Sequence, residues 1–206
     1  AMFPIQDGLA EEGLSEAALV CNFPAPRDGD PALLLHDQVT TFFHEFGHLL
    51  HHVLAGRGCH WSFAGIATER DFVEVPSQLF EEWAWDEHVL AGFAHHHETG
   101  EPIPPELVRR LRAAEDYGKG LTVQTQLFFG LLALGYYDRD PATFDPEEEL
   151  VALKRRISVL PHTPGGHFQA AFGHLNGYSA MYYTYLWSLV IAKDLFAAFD
   201  GDVMAR

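Results

Sequence analysis

Between Leu33 and Gly56 the apolar residues Leu35, Val39, Phe42, Phe43, Phe46, Leu49, Leu50 and Val53 recur at steps of three and four. That spacing returns to one side of the chain only in a helix, so it predicts an amphipathic helix across 33–56, closed by Gly56. The same segment carries the stretch FHEFGHLLHH at 43–52. Residues four apart on a helix sit ~40° apart around the axis and ~6 Å along it, so His44 and His48 present their imidazoles side by side. They share a polar face with Asp37, Thr41 and His51, and Glu45 follows the first histidine.

Two neutral imidazoles at this spacing, with a neighbouring carboxylate that is not itself a ligand, suit a catalytic zinc ion with one open position. A short pattern of this kind also arises by chance, so the third ligand has to decide. The version with a third histidine requires Gly at position 51 and His at position 54, where this chain has His51 and Leu54. A glutamate on the next helix is the alternative, and TERDFVEVPSQLFEEW offers Glu69, Glu74, Glu81 and Glu82. Glu74 is preferred because it falls in or near the first turn of a helix able to pack on the first. The spacing of Asp71 and Glu74 would equally serve a capping box, with no ion involved.

The rest of the chain reads as mostly helical with a small sheet. Ala17 to Phe23 suits a short buried strand, and Phe3 to Gly13 an irregular lead-in. Further helices are expected from Asp71–Pro76 to about His95 and over Pro104–Asp116, Leu121–Tyr137, Pro146–Ile157 and Tyr178–Phe199, with Gly and Pro in the gaps. His95, His96 and His97 are read as an exposed helix end. The 206 residues, 48% apolar, are enough for one domain with a real core. A net charge of −16 argues against nucleic acid and anionic membrane as partners. Cys21 and Cys59 can form at most one bridge, and reduced thiols in the cytoplasm are expected.

Tyr178, Tyr182 and Tyr185 fall four and three apart in FGHLNGYSAMYYTYLWS, which on a helix makes a stripe of phenols. Such stripes more often pack a core than act in catalysis. Here Tyr183, Trp187, Leu186 and Leu189 are expected to supply the packing, leaving the stripe free for another task.

HEFGH, followed 30 residues on (74 − 44) by the glutamate of ERDFVEVPSQ, with LLLHDQVTTFFHEFGH upstream and FEEWAWD downstream, resembles the thimet oligopeptidase, neurolysin and oligopeptidase A family of zinc metallopeptidases. The resemblance runs from about Ala17 to Phe199. It implies a zincin-like, mostly α catalytic core over residues 1–206, one Zn2+ held by His44, His48 and Glu74, and Glu45 as general base. The second segment is similar to that family's other signature, which sets His174, Tyr178, Tyr182 and Tyr185 on substrate- and transition-state-binding positions. One departure is that the family has an extra residue, a second glycine, between His174 and Tyr178. Pro164 to Gly177, with four glycines, corresponds to a family loop that adjusts around substrate.

The expected function is therefore zinc-dependent hydrolysis of oligopeptides, with a peptide-binding core that does not cleave as the alternative. Short peptides are the expected partners. The family's N-terminal helices and C-terminal tail are expected to be absent from this sequence, and a homodimer through the surface thus uncovered is the expected assembly.

Overall fold

A computed structural model describes residues 1–9, 13–29, 31–55 and 61–204. Cys59 and the expected stop at Gly56 lie outside the described residues. The architecture is mostly helical with one two-stranded sheet, and the chain divides into two compact units, 1–115 with 188–206, and 116–187. Among the described residues no helix is long and apolar enough to cross a membrane.

In the first unit, β1 (Met2–Gln6) pairs antiparallel with β2 (Glu16–Leu19), Met2 opposite Leu19 and Gln6 opposite Glu16, with an irregularity after Pro4. The expected lead-in is thus a strand. Pro4 disguises it in the sequence, since proline cannot donate to a ladder and is tolerated only at edges and bulges. Helix α1 (His36–Ala55) confirms the periodic reading. Its start is fixed by Gln38, whose Oε1 accepts the Leu35 backbone N–H at 2.9 Å, the glutamine half of a capping box. His52 at its far end is fully buried, its Nε2 3.0 Å from the Gln6 carbonyl and 3.1 Å from that of Glu16, so one ring ties both strands to the helix.

The expected second helix is broken in three. Helix α2 (Val75–Phe80) leads into a 3-10 turn (Glu81–Trp85), and α3 (Glu87–Ala91) restarts after it. The restart has a local cause: Asp86 adopts an extended backbone, and its carboxylate caps the His88 and Val89 N–H groups at 2.9 and 3.0 Å. His95 to His97 consequently lie beyond α3, exposed where His95 bridges antiparallel to Pro102 and His97 enters the turn that follows, rather than on a helix end. Helix α4 (Pro105–Glu115) follows as expected.

Helices α1 and α2 approach each other at Gly47, where an added Cβ would stand 2.6 Å from the Ser77 Cα and 2.8 Å from the Pro76 carbonyl oxygen. Both Gly47 and Ser77 are buried. This approach brings the start of α2 down onto the histidine face of α1.

The second unit is built on α5 (Lys119–Tyr137) and α6 (Pro146–Ile157), followed by the short helices α7 (Phe168–Ala171) and α8 (His174–Gly177). Its core comprises Phe128, Leu132, Ala133, Leu150, Leu153, Phe172 and Tyr182. Helix α6 is well specified: Asp145 caps the Glu147 and Glu148 N–H groups, Pro146 sits in the first turn, Glu147 to Glu149 line its positive end and Lys154 to Arg156 its negative end.

The last helix, α9 (Thr184–Ala197), starts later than the expected Tyr178, and the unit boundary falls inside it at Ser188. A 3-10 turn over Ser179–Met181 precedes it, and Ser179 at φ 51° is in the left-handed region that no helix continues through. The expected loop over Pro164 to Gly177 is largely occupied by α7 and α8.

The approach at Gly47 gives a direct prediction. On an isolated helix Gly→Ala is worth ~0.5–1 kcal/mol of stabilisation. Here Gly47→Ala is expected to destabilise by ~1–3 kcal/mol, because a methyl group must push two helix backbones apart. Urea denaturation of the two proteins side by side checks the sign; equal or higher stability for the alanine variant would show that the gap can relax.

Candidate metal centre

Glu74 stands at the N-cap position of α2 but makes no capping hydrogen bond with its side chain. Its residue is 1% exposed, and its Oε2 lies 3.3 Å from His44 Nε2 and 3.2 Å from His48 Nε2. A buried carboxylate demands a balancing charge, and capping is not the use to which this one is put. The two rings meet edge to face with centroids 4.9 Å apart, as expected for neighbours one helical turn apart.

These separations fit an ion. Zinc bound to nitrogen or carboxylate oxygen at ~2.0–2.1 Å in a tetrahedron requires its ligand atoms to be ~3.3 Å from one another. Among the described residues, His44, His48 and Glu74 form the group of donors able to hold a metal, all within 4.8 Å of one another. Both imidazoles offer the same atom, Nε2, and two of the three edges already have the tetrahedral length. Of the four glutamates open in the sequence, Glu74 is the one brought to the pair.

Glu81 has a different place. Its Oε1 lies 2.7 Å from His44 Nδ1, on the side of the ring away from Glu74. A carboxylate there fixes the tautomer that leaves Nε2 free and makes the ring a better donor. The signal for this was present in the sequence: Glu81 follows Glu74 by seven residues, two helical turns, and so returns to the same face. His48 differs: its buried Nδ1 has no hydrogen-bond partner among the described residues.

The remaining residues of the motif separate in space. Glu45 is outside the donor group; its side chain is 22% exposed and its Oε2 accepts the Met2 backbone N–H at 3.0 Å. His51, expected on the polar face, lines an apolar cavity with Leu50, Leu54, Leu79, Phe80 and Trp83. Burial, followed by the charges of His48 and His52, lowers its pKa below 6.5. For His44 burial also disfavours the imidazolium, yet the hydrogen bonds and charges of Glu74 and Glu81 outweigh it and raise the pKa from 6.5 to about 9.

In the second unit the four remaining candidates form one cluster. His174 lies 5.8 Å from Tyr178, 5.1 Å from Tyr182 and 5.7 Å from Tyr185, ring centre to ring centre, and Tyr185 lies 5.4 and 5.0 Å from Tyr178 and Tyr182. The chain reaches this arrangement through the broken backbone around Ser179 rather than along one continuous helix. Packing duties are also exchanged: Tyr182 is 7% exposed and sits in the core against Phe129 and Phe172, whereas Tyr183 and Trp187, expected to pack, are 42% and 57% exposed. Burial raises the Tyr182 pKa, partly offset by a hydrogen bond with the Gln126 side chain.

The family model described as peptidase family M3 matches residues 1–206. Oligopeptidase A of Salmonella typhimurium is 42% identical over 195 residues, covering 90% of this chain and 28% of that protein. A thimet-like oligopeptidase of Dictyostelium discoideum is 36% identical over 209 residues, 97% of this chain and 31% of the relative. Dipeptidyl carboxypeptidase of Escherichia coli is 40% identical over 180 residues, 85% and 26% respectively. The chain thus spans less than a third of the length of these curated relatives.

The charge balance around His44 can be measured in protein treated with a chelator. Because its folded pKa is raised, the protonated ring contributes stability that is fully present below pH 6.5 and lost as pH rises through about 9. Imidazole NMR titration is expected to place the His44 midpoint near 9, and Glu81→Gln to move it downward. A midpoint at 6.5 in the unmutated protein would contradict this balance.

Proposed function

Since this chain belongs to peptidase family M3, we propose that it is the catalytic part of a zinc-dependent peptidase that hydrolyses peptide bonds in oligopeptides. The observation that carries the reading is the convergence of His44 Nε2 and His48 Nε2 on the Glu74 carboxylate at 3.3 and 3.2 Å, the edge length of a zinc tetrahedron. In this proposal His44, His48 and Glu74 hold one zinc ion and leave a fourth position open to solvent and substrate. Zinc held there supplies Lewis acidity, polarising the scissile carbonyl and acidifying water.

The chain's own residues do the remaining work. Glu45 accepts the proton from the attacking water on its carboxylate and returns it to the leaving amine. It is suited to this by being near the ion ligands in sequence, outside their group, and partly open to solvent. Glu81 keeps His44 Nδ1 occupied, so Nε2 is the atom available for the ion. Tyr185, with Tyr182, donates a phenolic hydrogen bond to the oxyanion that exists only in the transition state. His174 and Tyr178 complete the substrate-binding group, their ring contacts with Tyr185 giving that group a common surface. Support for oligopeptide substrates comes from the relatives' names, oligopeptidase A and thimet-like oligopeptidase.

Metal analysis of the purified chain is expected to give one zinc per chain, and a quenched oligopeptide is expected to be cleaved and the activity lost on chelation. Glu45→Gln should retain the zinc while kcat falls by ~10²-fold or more. Zinc retained with unmutated turnover in that variant would remove Glu45 from the mechanism; zinc and peptide bound with no cleavage by the unmutated chain would favour the non-cleaving alternative. Because a proton on His44 competes with the ion, zinc affinity should rise with pH until about 9 and level off above it. Tyr185→Phe should lower kcat by ~10²-fold with a smaller change in KM, as one lost oxyanion donor does. An unchanged kcat would exclude Tyr185.

A further inference from the structure

The 3-10 turn that presents Glu81 to His44 is anchored on its other side by an ionic triad in which a buried carboxylate meets two half-exposed cations. Glu82, the next residue, is 5% exposed. Its Oε2 accepts from Arg112 Nη2 on α4 at 2.6 Å, and its Oε1 from Lys193 Nζ on α9. The same turn is gripped twice more. Arg112 also lies over the Trp85 ring at 5.5 Å, and His36, from the first turn of α1, packs on Trp85 at 4.2 Å with its Nε2 2.8 Å from the Ala84 carbonyl oxygen.

A 3-10 turn has poor hydrogen-bond geometry and little stiffness of its own, and its successive side chains point ~120° apart. The azimuth of Glu81 is therefore tied to that of Glu82. Glu82 in turn is constrained by its charge, because an ionised carboxylate stays buried only while its counter-charges are in place. With Arg112 and Lys193 present, the turn has one favourable orientation, and in it Glu81 meets the His44 ring. Without them, Glu82 gains by rotating toward water and carries Glu81 away from Nδ1.

We propose that Arg112 and Lys193, acting through Glu82, are positioning residues that hold Glu81 on His44 and so set the geometry of the metal centre. The proposal rests on the metal-binding reading of His44, His48 and Glu74. Neither cation belongs to the donor group, and Lys193 is 111 residues from Glu82 in sequence, so the last helix of the chain becomes part of the support of an ion bound near its beginning.

The test uses the chain loaded with Co(II) in place of zinc, read by its visible d–d absorption and by equilibrium affinity. Glu82→Gln, which keeps shape and removes charge, is expected to weaken Co(II) binding by ~10- to 100-fold, the usual cost of losing support behind a metal-bound histidine, and to shift the d–d bands. Lys193→Met, which leaves Arg112 to neutralise the carboxylate, should do the same to a smaller degree and serves if Glu82→Gln does not fold. Glu81→Gln should shift the bands in the same way, and adding Glu82→Gln to it should cause little further loss, because the two act in series. Leu132→Ala, a destabilising change in the other unit, should lower thermal stability and leave spectrum and affinity unmoved. Unmutated affinity and spectrum in both Glu82→Gln and Lys193→Met would overturn the proposal and leave the metal reading standing. Failure of the unmutated chain to take up Co(II) would overturn the metal reading itself, and this inference with it.

Discussion

Everything at the candidate centre depends on how closely two helix backbones can pass. The Glu74 carboxylate reaches both imidazoles because α2 lies against α1 with no side chain between them at Gly47. Widening that gap by the thickness of one methyl group would take the carboxylate off the tetrahedral edge. Local preference and tertiary need conflict at this residue. Glycine is a poor choice for the middle of a long helix, and its cost is accepted because only hydrogen fits. The buried charge imposes the opposite constraint, since a carboxylate this deep is stable only with positive character beside it. Packing brings the group in, and electrostatics decides what must meet it.

The histidines of FHEFGHLLHH show how one helical stretch can divide its labour. His44 and His48 turn their Nε2 atoms toward Glu74, His51 lines an apolar cavity, and His52 hydrogen-bonds two strands. The difference comes from what packs on each side of α1 rather than from anything intrinsic to the residues. The acids behave alike: Glu74, Glu81 and Glu82 lie within nine residues (82 − 74 + 1), and they face two imidazole Nε2 atoms, a ring Nδ1 and a pair of half-exposed cations respectively.

Much of this was legible in the sequence, and the limits have physical causes. Helix α1 could be read because its apolar period is long and regular, and α6 because Asp145, Pro146 and its charge gradient mark both ends. The pairing of His44 with His48 followed from helix geometry alone. Glu74 could be preferred among four glutamates, but its selection needed the approach at Gly47, a contact between segments about 30 residues apart. The break at Asp86 was written in a capping residue but hidden by continuous apolar spacing, and β1 was hidden by Pro4. The tyrosines illustrate a deeper ambiguity. Helix α9 is apolar nearly all round, so periodicity could not say which rings would be buried, and the left-handed backbone at Ser179 rearranged them into a cluster that no single helical stripe would make.

The small sheet is fastened to α1 at two points, and their spacing matches. Glu45 receives the Met2 amide, and His52 sits on the carbonyls of Gln6 and Glu16. Seven helical residues advance ~10 Å and four strand residues ~13 Å, so the hairpin lies along the helix like a splint screwed down at both ends. The carboxylate at one screw cannot swing freely while the imidazole at the other stays seated. A fully buried ring with no place in the candidate donor group thereby limits the travel of the side chain proposed to move the proton.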